Sequence, residues 1–283
     1  MSTDAQAYTL LDIQRICHRE KARKRWWYHV HRRLSMPITL VFYRLGLSPN
    51  TISASMLLVG LIGNLALVPL NLAWNLLGLA LVYAAFLLDK VDGDLARLQG
   101  RASPKAMILD YAYHRLTLFT FYAALGAHAY LIEGQAIALW AAFAAGFLAN
   151  YAQDAQNYPY RIYAQKVLCG REGWTIASQP GRLRREQRET WWKNLKVFSS
   201  QLLLLAPAIV LLCWQPSWIT IFLLVAAGHL VVFLAIQHYV FFQGGMEAEL
   251  AYIHQCMSAA RSEPGGGLHA LALVDDAGAD GND

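Results

Sequence analysis

Six long apolar windows constrain the fold of this chain more than any other feature. They lie at about residues 50–70, 72–91, 105–131, 135–158, 197–214 and 217–242. A helix needs about 20 mostly apolar residues to cross a bilayer, and its backbone groups are hydrogen-bonded within the segment. Barrel strands would instead alternate in polarity over about 10 residues. The windows therefore predict an all-α integral membrane protein with six transmembrane helices, and a hydrophobic content of 56% argues against a soluble domain.

The basic residues predict how these helices are oriented. If both termini are cytoplasmic, the inner stretches are residues 1–49, 92–104, 159–196 and 243–283. Every Lys and Arg then lies in one of these stretches or in the helix turns beside one, and the outer turns near residues 71, 133 and 215 carry none. This asymmetry is typical of multi-pass proteins of the inner or plasma membrane. The net charge of +5 then belongs to one membrane face, which favours anionic lipid over nucleic acid as a partner.

Residues 1–48 are predicted to form a cytoplasmic, interfacial segment. Apolar and basic positions alternate over residues 8–33, and Trp26 and Trp27 follow the most basic part. This pattern predicts an amphipathic helix lying in the membrane interface, with a solvated basic helix as the alternative.

The remaining chain divides into a membrane domain and a tail. Residues 49–242 form the predicted six-helix domain, and residues 159–196 are a long basic cytoplasmic connection within it. Residues 243–283 form a cytoplasmic tail that is Gly-rich and acidic from about residue 262, a composition typical of disorder. Four cysteines form no CxxC pair and three lie in or near the cytoplasmic side, so no disulfide is expected.

Acidic side chains gather where the second and third windows meet. Asp89 and Asp92 are three residues apart at the end of the second window, and Asp110 and His114 are four apart near the start of the third. Each pair lies on one face of its helix. Gly100, Ser103 and Pro104 break the helix between them, with Ser103 as the predicted N-cap of the third span. Two antiparallel helices joined in this way can aim three carboxylates and an imidazole at one another.

This arrangement points to a metal ion and a phosphate group. Carboxylates held together at a membrane boundary repel one another unless a cation neutralises them. Oxygen ligands of this kind suit Mg²⁺ or Mn²⁺. Gly93 leaves room for a ligand to approach the backbone, and the Arg97 guanidinium is matched to phosphate oxygens.

The whole pattern resembles the signature of the CDP-alcohol phosphotransferase family. That signature is D-x2-D-G-x2-A-R, followed after about eight residues by G-x3-D-x3-D. The residues that match it in type and spacing are Asp89, Asp92, Gly93, Ala96, Arg97 and Asp110. The segment LSPNTIS, before the first window, also looks like the family's entry to that helix.

The resemblance implies a set of residue roles and a reaction. Asp89, Asp92 and Asp110 would bind one or two metal ions, and Gly93, Ala96 and Arg97 would line a CDP site. An alcohol would attack the β-phosphorus of a CDP-activated donor and release CMP, in phospholipid or related phosphodiester synthesis, with either the donor or the acceptor a lipid. The resemblance also implies six helices around a polar cavity that opens to the cytoplasm, usually in a homodimer.

Two residues depart from the signature. Ala106 replaces the second glycine, which adds one methyl group. His114 replaces the last aspartate, which in the family is the general base and a second-metal ligand. A neutral imidazole can accept a proton and can also bind Mn²⁺ or Zn²⁺. His114 is therefore the candidate catalytic base and fourth metal ligand, and the alternative is that the base has been lost and the site only binds.

For other polar residues near the cluster, a structural role is an alternative to a functional one. Lys105 and Arg115 are candidates to hold an acceptor phosphate, although their cytoplasmic position alone also explains them. Asp94 is predicted to be a solvated interface charge. Asn150, Gln153 and Asp154 are expected to hydrogen-bond between helices rather than line a cavity, and His229 and His238 are expected to be packing or interfacial residues.

Three functions remain open from the sequence. The first is a metal-dependent membrane transferase that uses a CDP-activated donor. The second is a catalytically silent relative that binds CDP compounds or metal in a regulatory role. A small transporter is the weaker alternative, because transport sites usually lie near the bilayer midplane and this cluster lies at one edge.

Overall fold

A computed structural model of the chain describes residues 8–18, 26–100, 104–164, 201–246, 250, 253 and 254, and the described residues form helices and no strand. The helices are α1 (Leu10–His18), α2 (Trp26–Arg44), α3 (Pro49–Ala66), α4 (Leu72–Gln99), α5 (Pro104–Glu133), α6 (Ile137–Gln156), α7 (Tyr158–Tyr163), α8 (Gln201–Cys213) and α9 (Ile219–Val240). A 3₁₀ turn over Pro216–Trp218 precedes α9, and a π-helical turn over Phe241–Gly245 follows it. Ser103, most of the 159–196 connection and the tail from residue 262 lie outside the described residues.

Each of the six apolar windows overlaps one of the helices α3 to α6, α8 and α9, and α4 extends beyond its window to Gln99. Within the described residues, three segments are long and apolar enough to cross a membrane: Pro49–Ala66, Leu72–Gln99 and Pro216–Gln243. Helix α8 contains a shorter apolar segment, Leu203–Cys213. The all-helical, membrane-embedded class is thereby confirmed, whereas the number of spans stays a prediction.

Local sequence signals explain where α3 and α4 begin and end. The Ser48 hydroxyl accepts a hydrogen bond from the Thr51 N–H, and Pro49 occupies the first turn of α3, where its missing N–H is not needed. The Asn71 side chain accepts from the N–H groups of residues 73 and 74 at the start of α4. Helix α4 ends at Gly100, whose φ of 60° lies in the left-handed region that glycine adopts without strain.

Helices α3, α4 and α5 form the part of the bundle that carries the acidic cluster. Helix α3 packs against both α4 and α5, and α6 packs against α5 and α9. At the crossing of α3 and α4, a Cβ on Gly78 would lie 2.7 Å from the Gly63 carbonyl oxygen, so only glycine permits this approach. This crossing holds α3 close enough to α4 for Ser53 of α3 to meet Asp92 of α4.

Two described helices lie in the N-terminal segment, and α2 continues through Pro37 as far as Arg44, beyond the end of the amphipathic helix predicted over residues 8–33. The apolar side of α1 faces protein, because Ile13 and Cys17 are buried against Leu98 of α4. Apolar residues of α2 likewise pack on the end of α4. Tertiary packing therefore extends α2 beyond the point where the basic and apolar alternation ends.

Candidate functional site

Asp89, Asp110 and His114 meet between α4 and α5. The His114 Nε2 atom lies 3.5 Å from Asp89 Oδ1 and 3.5 Å from Asp110 Oδ1. One ligand atom from each of the three residues lies within 4.8 Å of the other two, a spacing that suits a shared metal ion. Two carboxylates and one imidazole form a donor set that divalent cations accept. Of the predicted metal ligands, these three are brought together directly.

Asp92 lies one turn further along α4 and is held by α3. The Ser53 hydroxyl donates a 2.7 Å hydrogen bond to Asp92 Oδ2. Ser53 is fully buried, so the bond fixes one oxygen of the carboxylate. Asp92 does not belong to the three-residue group, and its metal-binding role stays a prediction. Ser53 was not singled out from the sequence, since no spacing rule joins it to a residue on another helix.

A lysine beside the cluster supplies positive charge. The Lys90 ammonium lies 3.2 Å from Asp89 Oδ2 and 5.0 Å from the centre of the Phe86 ring. The ring face attracts the cation and keeps it close to the buried carboxylate. Lys90 therefore offsets part of the negative charge of Asp89, a role that the motif spacing did not indicate.

The predicted nucleotide-binding residues line the adjacent stretch of α4. A Cβ placed on Gly93 would have a single neighbour within 4 Å, Arg97 Nη1 at 3.7 Å. The surface at Gly93 is therefore open beside the Arg97 guanidinium, whose side chain is 45% exposed. Ala96 is half-buried. The role of Gly93, Ala96 and Arg97 in binding CDP stays a prediction. An accessible guanidinium beside an uncovered backbone suits a phosphate-bearing ligand.

Asp94 is buried and ion-paired, so the prediction of a solvated charge was wrong. Its side chain is fully inaccessible, and Arg32 of α2 donates a 2.7 Å hydrogen bond to its Oδ1 atom. Arg97 donates to the same oxygen over 3.1 Å. The error arises because helix periodicity shows which face Asp94 occupies, but not that α2 covers that face. The sequence signal available was the Asp-x-x-Arg spacing of Asp94 and Arg97.

Arg115, in the first half of α5, cross-links this helix to α6. It donates to the Asn150 carbonyl oxygen over 2.6 Å and to Asp154 Oδ1 over 2.8 Å. Arg161 and the Tyr111 hydroxyl donate to the same Asp154 oxygen. Asn150 and Asp154 thus form the interhelical hydrogen bonds expected of them. The acceptor-phosphate role of Arg115 stays a prediction.

The remaining candidates lie around this region. Lys105 is exposed at the start of α5, and Ala106 is half-buried one residue later. His238 stacks on Tyr151, with 3.2 Å between its Nε2 atom and the tyrosine hydroxyl, and His229 is half-buried in α9. The packing role predicted for His238 agrees with this contact.

Cys17 marks the contact of α1 with the site helix. Its thiol points at the Asp94 carbonyl oxygen over 3.8 Å, and its side chain is almost fully buried. Burial, reinforced by the negative charge of Asp94, raises the pKa of the Cys17 thiol to about 12. Cys17 is therefore protonated at neutral pH. Within the described part of the chain, Cys17 and Cys213 are free cysteines, whereas Cys169 and Cys256 lie outside it.

The region that contains this geometry also matches a known family. Residues 46–155 match the family model of CDP-alcohol phosphatidyltransferases, and this range includes α3, α4, α5 and every candidate site residue. The match is to a family of transferases of substituted phosphate groups, and it covers residues 46–155 of the chain. The resemblance drawn from the motif is confirmed over these residues.

Two solved structures are similar to the chain. One is phosphatidylinositol phosphate synthase (PgsA1) of Mycobacterium tuberculosis with CDP-DAG bound, at 19% identity over 73% of this chain and 92% of that chain, with a TM-score of 0.48. The other is the same enzyme in its apo form, at 19% identity over 72% and 95%, with a TM-score of 0.46. No curated protein matches the chain significantly.

Proposed function

We propose that this protein transfers a substituted phosphate group from a CDP-activated donor to an alcohol and releases CMP, in a metal-dependent step of phospholipid or related phosphodiester synthesis. The family match over residues 46–155 supports the class of reaction. The observation that supports it most is the convergence of Asp89, Asp110 and His114 within 4.8 Å between two helices of that region. Either the donor or the acceptor is a lipid, and both meet the protein at the membrane.

The proposed reaction is a single displacement at phosphorus. The alcohol oxygen forms a bond to the β-phosphorus, the bond from that phosphorus to the bridging oxygen breaks, and CMP leaves with both electrons. His114 accepts the proton of the alcohol in the place of the motif's last aspartate. The guanidinium of Arg97 and the bare backbone at Gly93 receive the diphosphate, and Ala96 completes the CDP site.

The carboxylates of Asp89, Asp92 and Asp110 would hold one or two divalent ions. His114 would be a further ligand while it is not acting as the base, because a neutral imidazole has one lone pair for either the metal or the proton. Mg²⁺ and Mn²⁺ both suit the oxygens, and the imidazole adds preference for Mn²⁺. When bound, the cation would neutralise these side chains and polarise the diphosphate oxygens. Lys105 and Arg115 are the proposed contacts of an acceptor phosphate.

We propose the membrane topology that the distribution of Lys and Arg predicts. Residues 49–242 would form six spans around a polar cavity that opens to the cytoplasm, after an interfacial segment at residues 1–48 and before a cytoplasmic tail at 243–283. Both termini and the active site would be cytoplasmic. A homodimer is part of the proposal, and measuring the mass of the protein in lipid nanodiscs tests it.

The experiment is the release of CMP by purified protein. The protein is incubated with a panel of CDP-alcohols and alcohol acceptors under Mg²⁺ or Mn²⁺, and CMP is measured. Asp110→Asn should abolish release, whereas Glu133→Gln, a matched change at the opposite end of α5, should leave it unchanged, because Glu133 is bonded to Thr220 far along the helix. Absence of CMP with every donor, acceptor and metal would refute the proposal.

A catalytically silent relative is the second candidate, and His114 is the observation that favours it. An imidazole stands where the family has its general base. The variant His114→Asp distinguishes the active transferase from the silent relative. A silent protein should gain CMP release, whereas an enzyme adapted to histidine should lose activity. His114→Ala should lower an existing activity by about 10²–10⁴-fold, the usual contribution of a positioned base.

A further inference from the structure

A single buried carboxylate joins two arginines from different helices. Asp94 Oδ1 accepts hydrogen bonds from Arg32 of α2 and from Arg97 of α4, over 2.7 and 3.1 Å. The Asp94 side chain is 0% exposed and that of Arg32 is 9% exposed, so this pair lies inside the protein. The Arg97 side chain is 45% exposed, so the guanidinium contacts Asp94 and is also accessible to a ligand. A carboxylate sequestered in this way requires its partners, because an unpaired buried charge is strongly destabilising.

Arg32 connects Asp94 and Arg97 to the N-terminal helices. Arg32 lies in α2, and α1 packs against the same end of α4 through Ile13, Cys17 and Leu98. The Cys17 thiol also approaches the backbone carbonyl of Asp94. Helices α1 and α2 therefore meet α4 at the turn that carries Asp94, one turn from the acidic cluster. The ion pair of Arg32 and Asp94 is the polar part of a contact that is otherwise apolar.

The geometry restricts where the Arg97 guanidinium can lie. Its Nη1 atom is both the donor to Asp94 and the atom 3.7 Å from the Cβ position of Gly93. An exposed arginine side chain loses substantial conformational entropy when it is held in one place. A carboxylate that already holds the side chain lowers this cost for any ligand that binds the open side.

We propose that Asp94 is a positioning residue: it holds Arg97 in the orientation that receives the diphosphate of the CDP donor and, through Arg32, makes that orientation depend on the docking of α2. This inference rests on the proposed function of Arg97. Asp94 itself does not touch the substrate. Its contribution is to affinity for the donor, so its loss raises the KM for the CDP compound and changes kcat little.

The first test compares Asp94→Asn with the double variant Arg32→Met and Asp94→Asn. The single change leaves Arg32 buried without a full counter-charge and can prevent folding, whereas the double change removes both buried charges. The expected result is a KM for the CDP donor that is at least about tenfold higher in the double variant, the effect of one misplaced charged hydrogen bond, with kcat within about threefold. Arg33→Met, at the exposed neighbouring position of α2, is the matched control and should keep the wild-type KM.

A double-mutant cycle shows whether Asp94 acts through Arg97. In an Arg97→Ala background, adding the Arg32→Met and Asp94→Asn changes should raise KM no further, because the side chain that they position is gone. An unchanged KM in the double variant overturns the proposal. A further tenfold loss in the Arg97→Ala background also overturns it, since Asp94 would then act elsewhere.

Binding of CDP and CMP separates this inference from the proposed function. The shift in melting temperature on adding either nucleotide is measured for the same variants. If the wild type releases no CMP from any donor but CDP still stabilises it, the proposed reaction fails while the role of Asp94 is tested by the nucleotide shift. A shift that is equal in wild type and double variant overturns the role of Asp94.

Discussion

Gly93 shows how one missing side chain shapes the proposed nucleotide site. The nearest atom to a Cβ at this position is Arg97 Nη1, at an ordinary contact distance of 3.7 Å. The fold does not require glycine there, because α4 continues through the residue and its φ is not in the left-handed region. The proposed nucleotide site gives a reason for a glycine inside this helix, where it costs about 0.5–1 kcal/mol relative to alanine.

Gly93→Ala should therefore keep or slightly raise the melting temperature and weaken donor binding. The added methyl group occupies the space next to Arg97, so we expect the KM for the CDP donor to rise about tenfold, equivalent to about 1.4 kcal/mol. Gly228→Ala is the control, because Gly228 is also inside a helix and has no neighbour within 4 Å of its Cβ position. An unchanged KM for Gly93→Ala would show that the donor does not approach the backbone here.

His114 makes a prediction about metal preference. Its Nε2 atom is equally distant from two carboxylates, so a nitrogen donor joins oxygen donors in one group. Imidazole favours Mn²⁺ over Mg²⁺ more than carboxylate does. Calorimetry should show that His114→Asp lowers the preference for Mn²⁺ about tenfold, within the range by which neighbouring groups alter metal affinity. Equal preference in wild type and variant would show that His114 does not contact the ion.

Some residues of the candidate site could be predicted from the sequence and others could not. Asp89, Asp110 and His114 lie on two consecutive helices, so helical spacing and a short connection were enough to bring them together. Ser53 and Arg32 reach the site from helices that are distant along the chain. Which faces of those helices meet α4 depends on packing, for example at Gly63 and Gly78, and one sequence carries no pairing information for it.

At the scale of elements, the N-terminal helices are part of the site's support. Periodicity predicted an interfacial helix over residues 8–33, and α2 extends beyond it to Arg44. Pro37 lies inside α2, where it removes one backbone hydrogen bond. Packing of α2 on α4 offsets this loss, because apolar side chains of α2 are buried in the contact.

Docking of α1 predicts that Cys17 is unreactive in the folded protein. A thiol with a pKa of about 12 is ionised in about one molecule in ten thousand at pH 8, and only the thiolate reacts with maleimide. Over the pH range in which maleimide is stable, the rate of labelling should rise about tenfold per pH unit, since the thiolate fraction does. In a variant that keeps Cys17 alone, labelling at pH 8 should be at least about 100-fold slower than after unfolding in SDS.

The control for this experiment keeps Cys213 alone. Cys213 is exposed at the end of α8, so its labelling should change far less on unfolding. Fast labelling of Cys17 in the native protein would show that α1 leaves α4 readily, and that the helix pair does not cover Asp94 in solution.

At the scale of the whole molecule, two independent signals describe the membrane arrangement. Length and hydropathy identify three membrane-crossing segments among the described residues, and α5 and α6 fall short because polar residues interrupt them. The distribution of Lys and Arg, which hydropathy does not use, predicts an even number of crossings between successive basic stretches. A polar cluster near the start of α5 is what a site between helices would produce, so the lower hydropathy of α5 is consistent with its being a further span.

The orientation can be decided with single cysteines in intact cells. Cys213 lies beside the proposed outer turn near residue 215, whereas Cys256 lies in the proposed cytoplasmic tail. A membrane-impermeant maleimide added outside should label a variant that keeps only Cys213, and should label a variant that keeps only Cys256 after permeabilisation alone. The reverse pattern would place the acidic cluster on the outer face. CDP-activated donors are charged nucleotides that do not cross a bilayer, so a site on that face would be cut off from a cytoplasmic supply of substrate, and the orientation is therefore a condition of the proposed reaction.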